Sequence, residues 1–237
     1  TYDHQKRVGR SLTAVYGYEF DRILKTEDDL KNFVAANPNY NIHGVIPELG
    51  QIVYKDISGP DGTPDGIINE HDMTVLRKNN NPIVMGLTLG AEWKGLSVNA
   101  VFNGGLGQEK FVRDLFEGNE WNRMWVDCYY DSWSPENQNA SLPKRISTYA
   151  GGKTYNYDTD FWLKKANFLR LKNLNVSYTI PQHLYQRIGL DRIQIYFVGT
   201  NMFVLSNFNK NYYDPEMGNG FTFPIMRSYN FGINVTI

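Results

Sequence analysis

From Ser228 to Ile237 the chain places Tyr229, Phe231, Ile233, Val235 and Ile237 on one parity and Asn230, Gly232, Asn234 and Thr236 on the other. A period of two with one continuous apolar face is the signature of a β-strand, and roughly 9 to 11 such residues suffice to cross a hydrocarbon layer. The pattern recurs upstream. Residues 83–93 alternate Ile83, Met85, Leu87, Leu89, Ala91 and Trp93 against Gly86, Thr88, Gly90 and Glu92. After Lys94-Gly95, Leu96, Val98, Ala100 and Phe102 oppose Ser97, Asn99 and Asn103, which predicts a hairpin with a tight turn.

Three more segments complete six expected strands, at about 10–18, 83–93, 96–106, 163–180, 191–204 and 225–237. In the fourth, Leu174, Val176, Tyr178 and Ile180 share a parity that Leu169 and Leu171 do not, so either a bulge falls near Lys172 or the strand runs past the apolar zone. The connections alternate between long and short. Segments 19–82, 107–162 and 205–224 are extended, whereas 94–95 and 181–190 are brief. Outer-membrane barrels show this asymmetry, with brief periplasmic turns and long outer loops. A soluble, secreted carbohydrate-binding β-sandwich also has alternating strands, but nothing in its architecture puts the long excursions on one side.

Short helices are expected inside the loops. Thr26 and Asp29 have capping-box spacing ahead of Leu30, Phe33 and Val34, and residues 111–125 carry Phe111, Leu115 and Phe116 on one helical face. No apolar run is long enough for a transmembrane helix, and the first residues lack the apolar core of a signal peptide. The sequence begins at Thr1 without a Met, which suggests a processed product or a piece of a longer protein.

Composition sharpens the β reading, since 16 Tyr, 13 Phe and 5 Trp accompany 21 Gly. With 24 basic against 25 acidic residues, charge gives no reason to expect a nucleic-acid partner. The single cysteine, Cys128, forms no internal disulfide and reads as a small semi-buried hydrophobe.

Several phrases, in this order and across nearly the whole chain, carry a resemblance: Val15-Tyr16-Gly17-Tyr18, Tyr54-Lys55-Asp56, Trp93-Lys94-Gly95-Leu96, Trp133-Ser134-Pro135-Glu136-Asn137, Phe168-Leu169-Arg170-Leu171-Lys172-Asn173-Leu174, Gly199-Thr200-Asn201 and Tyr213-Asp214-Pro215-Glu216. Together they resemble the C-terminal barrel portion of SusC/RagA-like TonB-dependent outer-membrane transporters of Bacteroidetes. The resemblance implies an all-β, antiparallel transmembrane barrel of 22 strands filled by a plug, of which these strands supply about a quarter. It further implies import of an oligosaccharide or peptide with a SusD-like surface lipoprotein, powered through TonB by parts outside this chain. Such barrels typically end in an aromatic residue, and this chain departs from that with Ile237. An open sheet in lipid has two costly edges, so the strands are expected to pair with the remainder of the barrel.

Two loop features invite chemistry. In Asp61-Gly62-Thr63-Pro64-Asp65-Gly66-Ile67-Ile68-Asn69-Glu70-His71-Asp72, the side chains of Asp61, Thr63, Asp65 and Asp72 and the carbonyl of Ile67 fall on ligand positions of the twelve-residue calcium loop, with Gly66 at its turn. The same residues also suit a turn that caps its own backbone around no ion. The second long loop collects Trp121, Trp125, Tyr129, Tyr130 and Trp133, and also Tyr149, Tyr155, Tyr157 and Trp162. Flat aromatic faces stack on sugar rings, but they equally form a loop's own core or a contact with a lid.

Enzyme signatures are missing. The sequence has no His-Glu-x-x-His, Gly-x-Ser-x-Gly or phosphate loop, and His4, His43, His71 and His183 are scattered. Asp214 and Glu216 have the carboxylate chemistry of a glycosidase pair, but Pro215 between them favours a turn that fixes the loop.

Overall fold

A computed structural model describes residues 3–77, 82–113, 116, 126–145, 157–185, 187, 189–218 and 223–237. The chain divides into two compact units, Thr1–Asn80 with Glu109–Lys164, and Asn81–Gln108 with Lys165–Ile237.

The first unit is built from short pieces. Its strands are β1 (Val15–Gly17), β2 (Phe20–Ile23), β3 (Asn41–Ile42), β4 (Ile52–Tyr54), β5 (Ile67–Ile68) and β6 (Thr74–Arg77). They pair two by two, β1 with β6, β2 with β4 and β3 with β5. Its core gathers Leu24, Ile42, Ile52, Val53, Tyr54, Ile68 and Trp162, each at most 1% exposed. Helix α1 (Glu27–Ala36) starts where its capping box predicts: the Thr26 hydroxyl accepts from the Asp29 amide, and the Asp29 carboxylate accepts from the Thr26 amide.

One sequence expectation is corrected here. Residues 10–18 do not form a strand of the main sheet; only Val15–Gly17 is extended, and it pairs with β6 inside the first unit. Leu12 stands fully exposed, and the chain before Val15 makes tight turns in which the Arg10 amide donates to Arg7 and the Ala14 amide to Ser11. Alternation over four apolar residues was too short a signal to distinguish a wall strand from a loop strand. The helix expected over 111–125 falls mostly outside the described residues. Phe111 itself ends strand β9 (Glu109–Phe111), which pairs with β10 (Leu163–Lys165), and a short helix α2 covers Val126–Tyr130.

The second unit is one antiparallel sheet of five strands in the order β13-β12-β11-β8-β7. These are β7 (Ile83–Trp93), β8 (Leu96–Leu106), β11 (Phe168–Thr179), β12 (Arg192–Ser206) and β13 (Ser228–Thr236). Spatial order follows chain order, so the sheet is an up-and-down meander. The β7–β8 hairpin closes through Lys94 and Gly95, with φ of 46° and 88°. Two successive left-handed residues match the twist of adjacent strands, and glycine takes one of them without strain.

Cross-strand register puts all the greasy parities on one face. Leu87 opposes Phe102, Phe102 opposes Leu171, and Leu171 opposes Phe203. Ala91 opposes Val98, Val98 opposes Val176, Val176 opposes Phe197, and Phe197 opposes Phe231. The parity change in β11 is a bulge. Lys172 is the extra residue against β8, where Leu171 pairs with Phe102 and Asn173 with Val101. Against β12 the same residue spans Asn201 and Met202, with Asn201 at a φ of 51°. Inserting one residue returns Leu174 to the face that Leu171 already occupied.

Candidate functional site

Much of the apolar face of the sheet is bare, although Leu171 in its middle is only 6% exposed. Ile83, Leu87, Leu89, Trp93, Leu205, Phe231, Ile233 and Val235 are each between 52% and 80% exposed. In a β-sandwich this face would be the core, buried against a second sheet about 10 Å away. Its exposure disfavours the sandwich. Eleven residues at roughly 3.4 Å each, tilted about 45°, cover about 25 Å, the height of the apolar band on an outer-membrane barrel. Trp93 and Tyr178 mark the short-turn end, with the Lys94 ammonium 5.1 Å from the Trp93 ring centre. Aromatics with a cation beside them suit the headgroup level.

The opposite face is polar. Asn99 pairs with Asn175, Ser97 with Ser177 and Asn173 with Thr200, and Gln194 donates to the Ser177 hydroxyl at 3.1 Å. Near its long-loop end this face holds an ionic clamp. The Arg170 side chain, 3% exposed, donates through Nη2 to both oxygens of Asp214 and sets its Nε 2.7 Å from Glu216 Oε2, close but poorly aligned for a hydrogen bond. Asn103 Nδ2 donates to Glu216 Oε1 at 2.9 Å, and the Lys172 ammonium lies 3.3 Å from the same oxygen. Asp214 also accepts from the Glu216 amide across Pro215. Both carboxylates thus tie the Asp214–Glu216 segment to β8 and β11, which is the loop-fixing role.

In the Asp-Gly loop the carboxylates bind backbone. Asp61 accepts from the amide and hydroxyl of Thr63, and Asp65 from the amide of Ile67. Asp72, fully buried, accepts from the amides of Ile57, Ser58 and Asn69. Asp56, which the calcium-loop spacing does not include, takes the Gly66 amide, and burial pushes its carboxyl above the usual range. Among the described residues no three His, Cys, Asp or Glu side chains come together as a ligand set. Each of these carboxylates caps backbone amides of its own loop. Asp72→Ala orphans one buried and two half-buried donors, and at about 1 to 3 kcal/mol for the buried one and less for the others a loss of roughly 2 to 3 kcal/mol is expected by denaturant unfolding. EGTA is expected to leave the midpoint unchanged; a calcium-dependent rise would restore the ion.

Of the five loop aromatics, Trp121 and Trp125 lie outside the described residues. Trp133 is 6% exposed, with its indole N–H donating to the Lys25 carbonyl at 2.9 Å. Its ring is packed so closely on Gly50, itself at a φ of 81°, that a side chain there would collide with it. Trp162 and Tyr157 also turn inward, Trp162 against Phe161 and Tyr157 onto His43 at 4.7 Å. Tyr129 and Tyr130 behave differently. They are 68% and 73% exposed and meet edge to face, ring centres 5.1 Å apart. With Trp133, Pro135, Lys144 and Arg145 they line a cleft of about 540 Å³. Sequence reasoning found the tyrosines but missed the two cations, which follow a stretch without aromatics and carry no motif.

No protein-family model matches the chain. Among curated proteins it is 24% identical over 97% of its length to TonB-dependent receptor P26 of Formosa agariphila, and 21% identical over 97% to TonB-dependent receptor P3 of the same organism. The chain spans 23% and 22% of those two relatives. Among solved structures, the RagAB peptide transporter matches over 94% of this chain and 22% of its own, at 22% identity and a TM-score of 0.61. The RagAB peptide importer in the closed-closed state matches equally, at a TM-score of 0.61. The resemblance to SusC/RagA-like TonB-dependent transporters holds in both comparisons, and the relatives are receptors and transporters by name.

Proposed function

We propose that the chain is wall and outer loops of a TonB-dependent outer-membrane importer, its five-stranded sheet forming part of a larger plugged barrel. The observation that carries this reading is the continuous exposed apolar face on strands of membrane-spanning length, joined alternately by short and long connections. A contiguous exposed apolar face marks a surface that meets another apolar phase, and acyl chains supply one. Among the described residues, β7 and β13 each have a single neighbour, so a row of backbone donors and acceptors is open on both edges. In lipid each such group costs several kcal/mol. The rest of the barrel supplies the missing partners.

The cargo on this reading is an oligosaccharide, with peptide as the alternative, taken up with a SusD-like lipoprotein and driven through TonB. Tyr129 and Tyr130 are the substrate contacts of this chain. The polar face of the sheet looks into the lumen, and the clamped 207–227 connection narrows it. Heat-modifiable migration of the full-length protein from the outer-membrane fraction, together with loss of oligosaccharide uptake on deletion, is the expected result. Recovery of a soluble, detergent-independent protein from the periplasm or medium would refute the reading.

A further inference from the structure

The Tyr129–Tyr130 cleft has an unusual balance of hydrogen-bonding groups. A neutral sugar presents hydroxyls that both donate and accept, and a site for it normally supplies carboxylate or amide oxygens to receive the donors. Here the described lining residues include no carboxylate. They offer the Lys144 ammonium and the Arg145 guanidinium, which donate only, beside two phenols and the hydroxyls of Ser132 and Ser134. The Asn137 Nδ2 donates to the Tyr130 carbonyl at 3.0 Å, which leaves its Oδ1 as the amide acceptor among the described lining residues. Lys144 has a carboxylate neighbour in Glu48, but at 3.9 Å and with 42% and 70% of the two side chains exposed, that pair neutralises little.

Part of the wall is tied down. Trp133 is held by its hydrogen bond to the Lys25 carbonyl, and the Lys144 amide donates to the Gly50 carbonyl at 2.6 Å, so this cation springs from an anchored backbone. That anchoring lowers the ordering cost of binding.

We infer that this cleft takes an anionic saccharide, a sugar bearing a carboxylate or sulfate, with its ring face on an exposed tyrosine and its anion between Lys144 and Arg145. This rests on reading Tyr129 and Tyr130 as substrate contacts. Aromatic faces favour a sugar over a peptide because the C–H face of a pyranose is flat and apolar while its edge is polar, the same division the cleft shows.

The test is equilibrium binding by the full-length protein in detergent, which requires neither TonB nor uptake and so fails or succeeds apart from the import reading. Four probes are compared: tetragalacturonate, its methyl ester, a sulfated tetrasaccharide of chondroitin, and tetraglutamate. At least one anionic sugar is expected to bind 10-fold or more tightly than the methyl ester, with affinity falling as salt rises. The double variant Lys144→Gln/Arg145→Gln should lose that 10-fold advantage while its melting temperature stays unchanged. Tyr129→Ala/Tyr130→Ala should weaken the anionic sugar and leave tetraglutamate unaffected. Neither anionic sugar binding more tightly than the methyl ester, tetraglutamate binding as tightly as the tighter of the two, or no saturable binding of either would each overturn the assignment.

Discussion

Leu89→Arg is expected to abolish accumulation of the protein in the outer membrane, whereas Thr88→Arg, one residue away, is expected to leave it nearly at wild-type level. Both positions lie at the centre of β7, the 11-residue strand Ile83–Trp93, and they differ in the face they occupy. Leu89 opposes Ala100 on the apolar side, and Thr88 opposes Val101 on the other. An arginine directed into lipid near the midplane costs about 2 to 4 kcal/mol, a large part of the stability of an ordinary domain. On the lumen side the guanidinium meets water. The experiment discriminates because Leu89 is already 52% exposed: in a water-soluble protein, charge at such a position would be nearly neutral. Outer-membrane fractionation and heat-modifiable gel migration read the result, and equal tolerance of both substitutions would remove the lipid-facing assignment.

The sheet was legible because one apolar and one polar face impose opposite chemistry on alternate residues, which writes a period of two into each of its strands. Ile83 to Trp93 carries that period with only Val84 out of step. A bulge was one of two readings of the parity change between Leu171 and Leu174, and the register decides for it. Residues 10–18 mimicked the pattern because Leu12, Ala14, Tyr16 and Tyr18 also alternate. Their fate depends on the contacts of Tyr18, buried beside Tyr54 and Tyr157, which no local period encodes.

The loops were less legible for a physical reason. The first unit is held by pairings of two to four residues and by side chains that cap backbone, so each long-range contact is specified by a few atoms. The Asp-Gly segment shows the ambiguity: oxygens at the spacing of cation ligands also receive amide protons, and spacing alone does not distinguish the two roles. Trp133 and Tyr130 are three residues apart, yet one is buried and the other open, because a glycine over 80 residues away leaves room for the indole. Asp214 and Glu216 were readable as a loop anchor from Pro215, but Arg170 as their partner was not, since 44 residues separate Arg170 from Asp214.

That anchor carries the second large effect. Arg170→Ala is expected to destabilise the sheet and its loop by roughly 3 kcal/mol, toward the lower bound for breaking a buried ion pair, because Asp214 and Glu216 keep 18% and 22% of their side chains exposed and regain some water. Arg170→Lys should recover only part of the loss, as one ammonium cannot hold two carboxylates in the forked geometry of a guanidinium. Lys172→Ala removes a contact that is 44% exposed and should cost no more than about 1 kcal/mol. Limited proteolysis localises the effect: new cleavage between residues 207 and 227 is expected in Arg170→Ala and not in Lys172→Ala. If the clamp does narrow the lumen, the same variant should also conduct ions more readily in planar bilayers, because releasing the loop from β8 and β11 opens the polar face it covers. Unchanged cleavage and conductance in Arg170→Ala would show that the loop is held in place by other contacts and that the clamp does not gate the lumen.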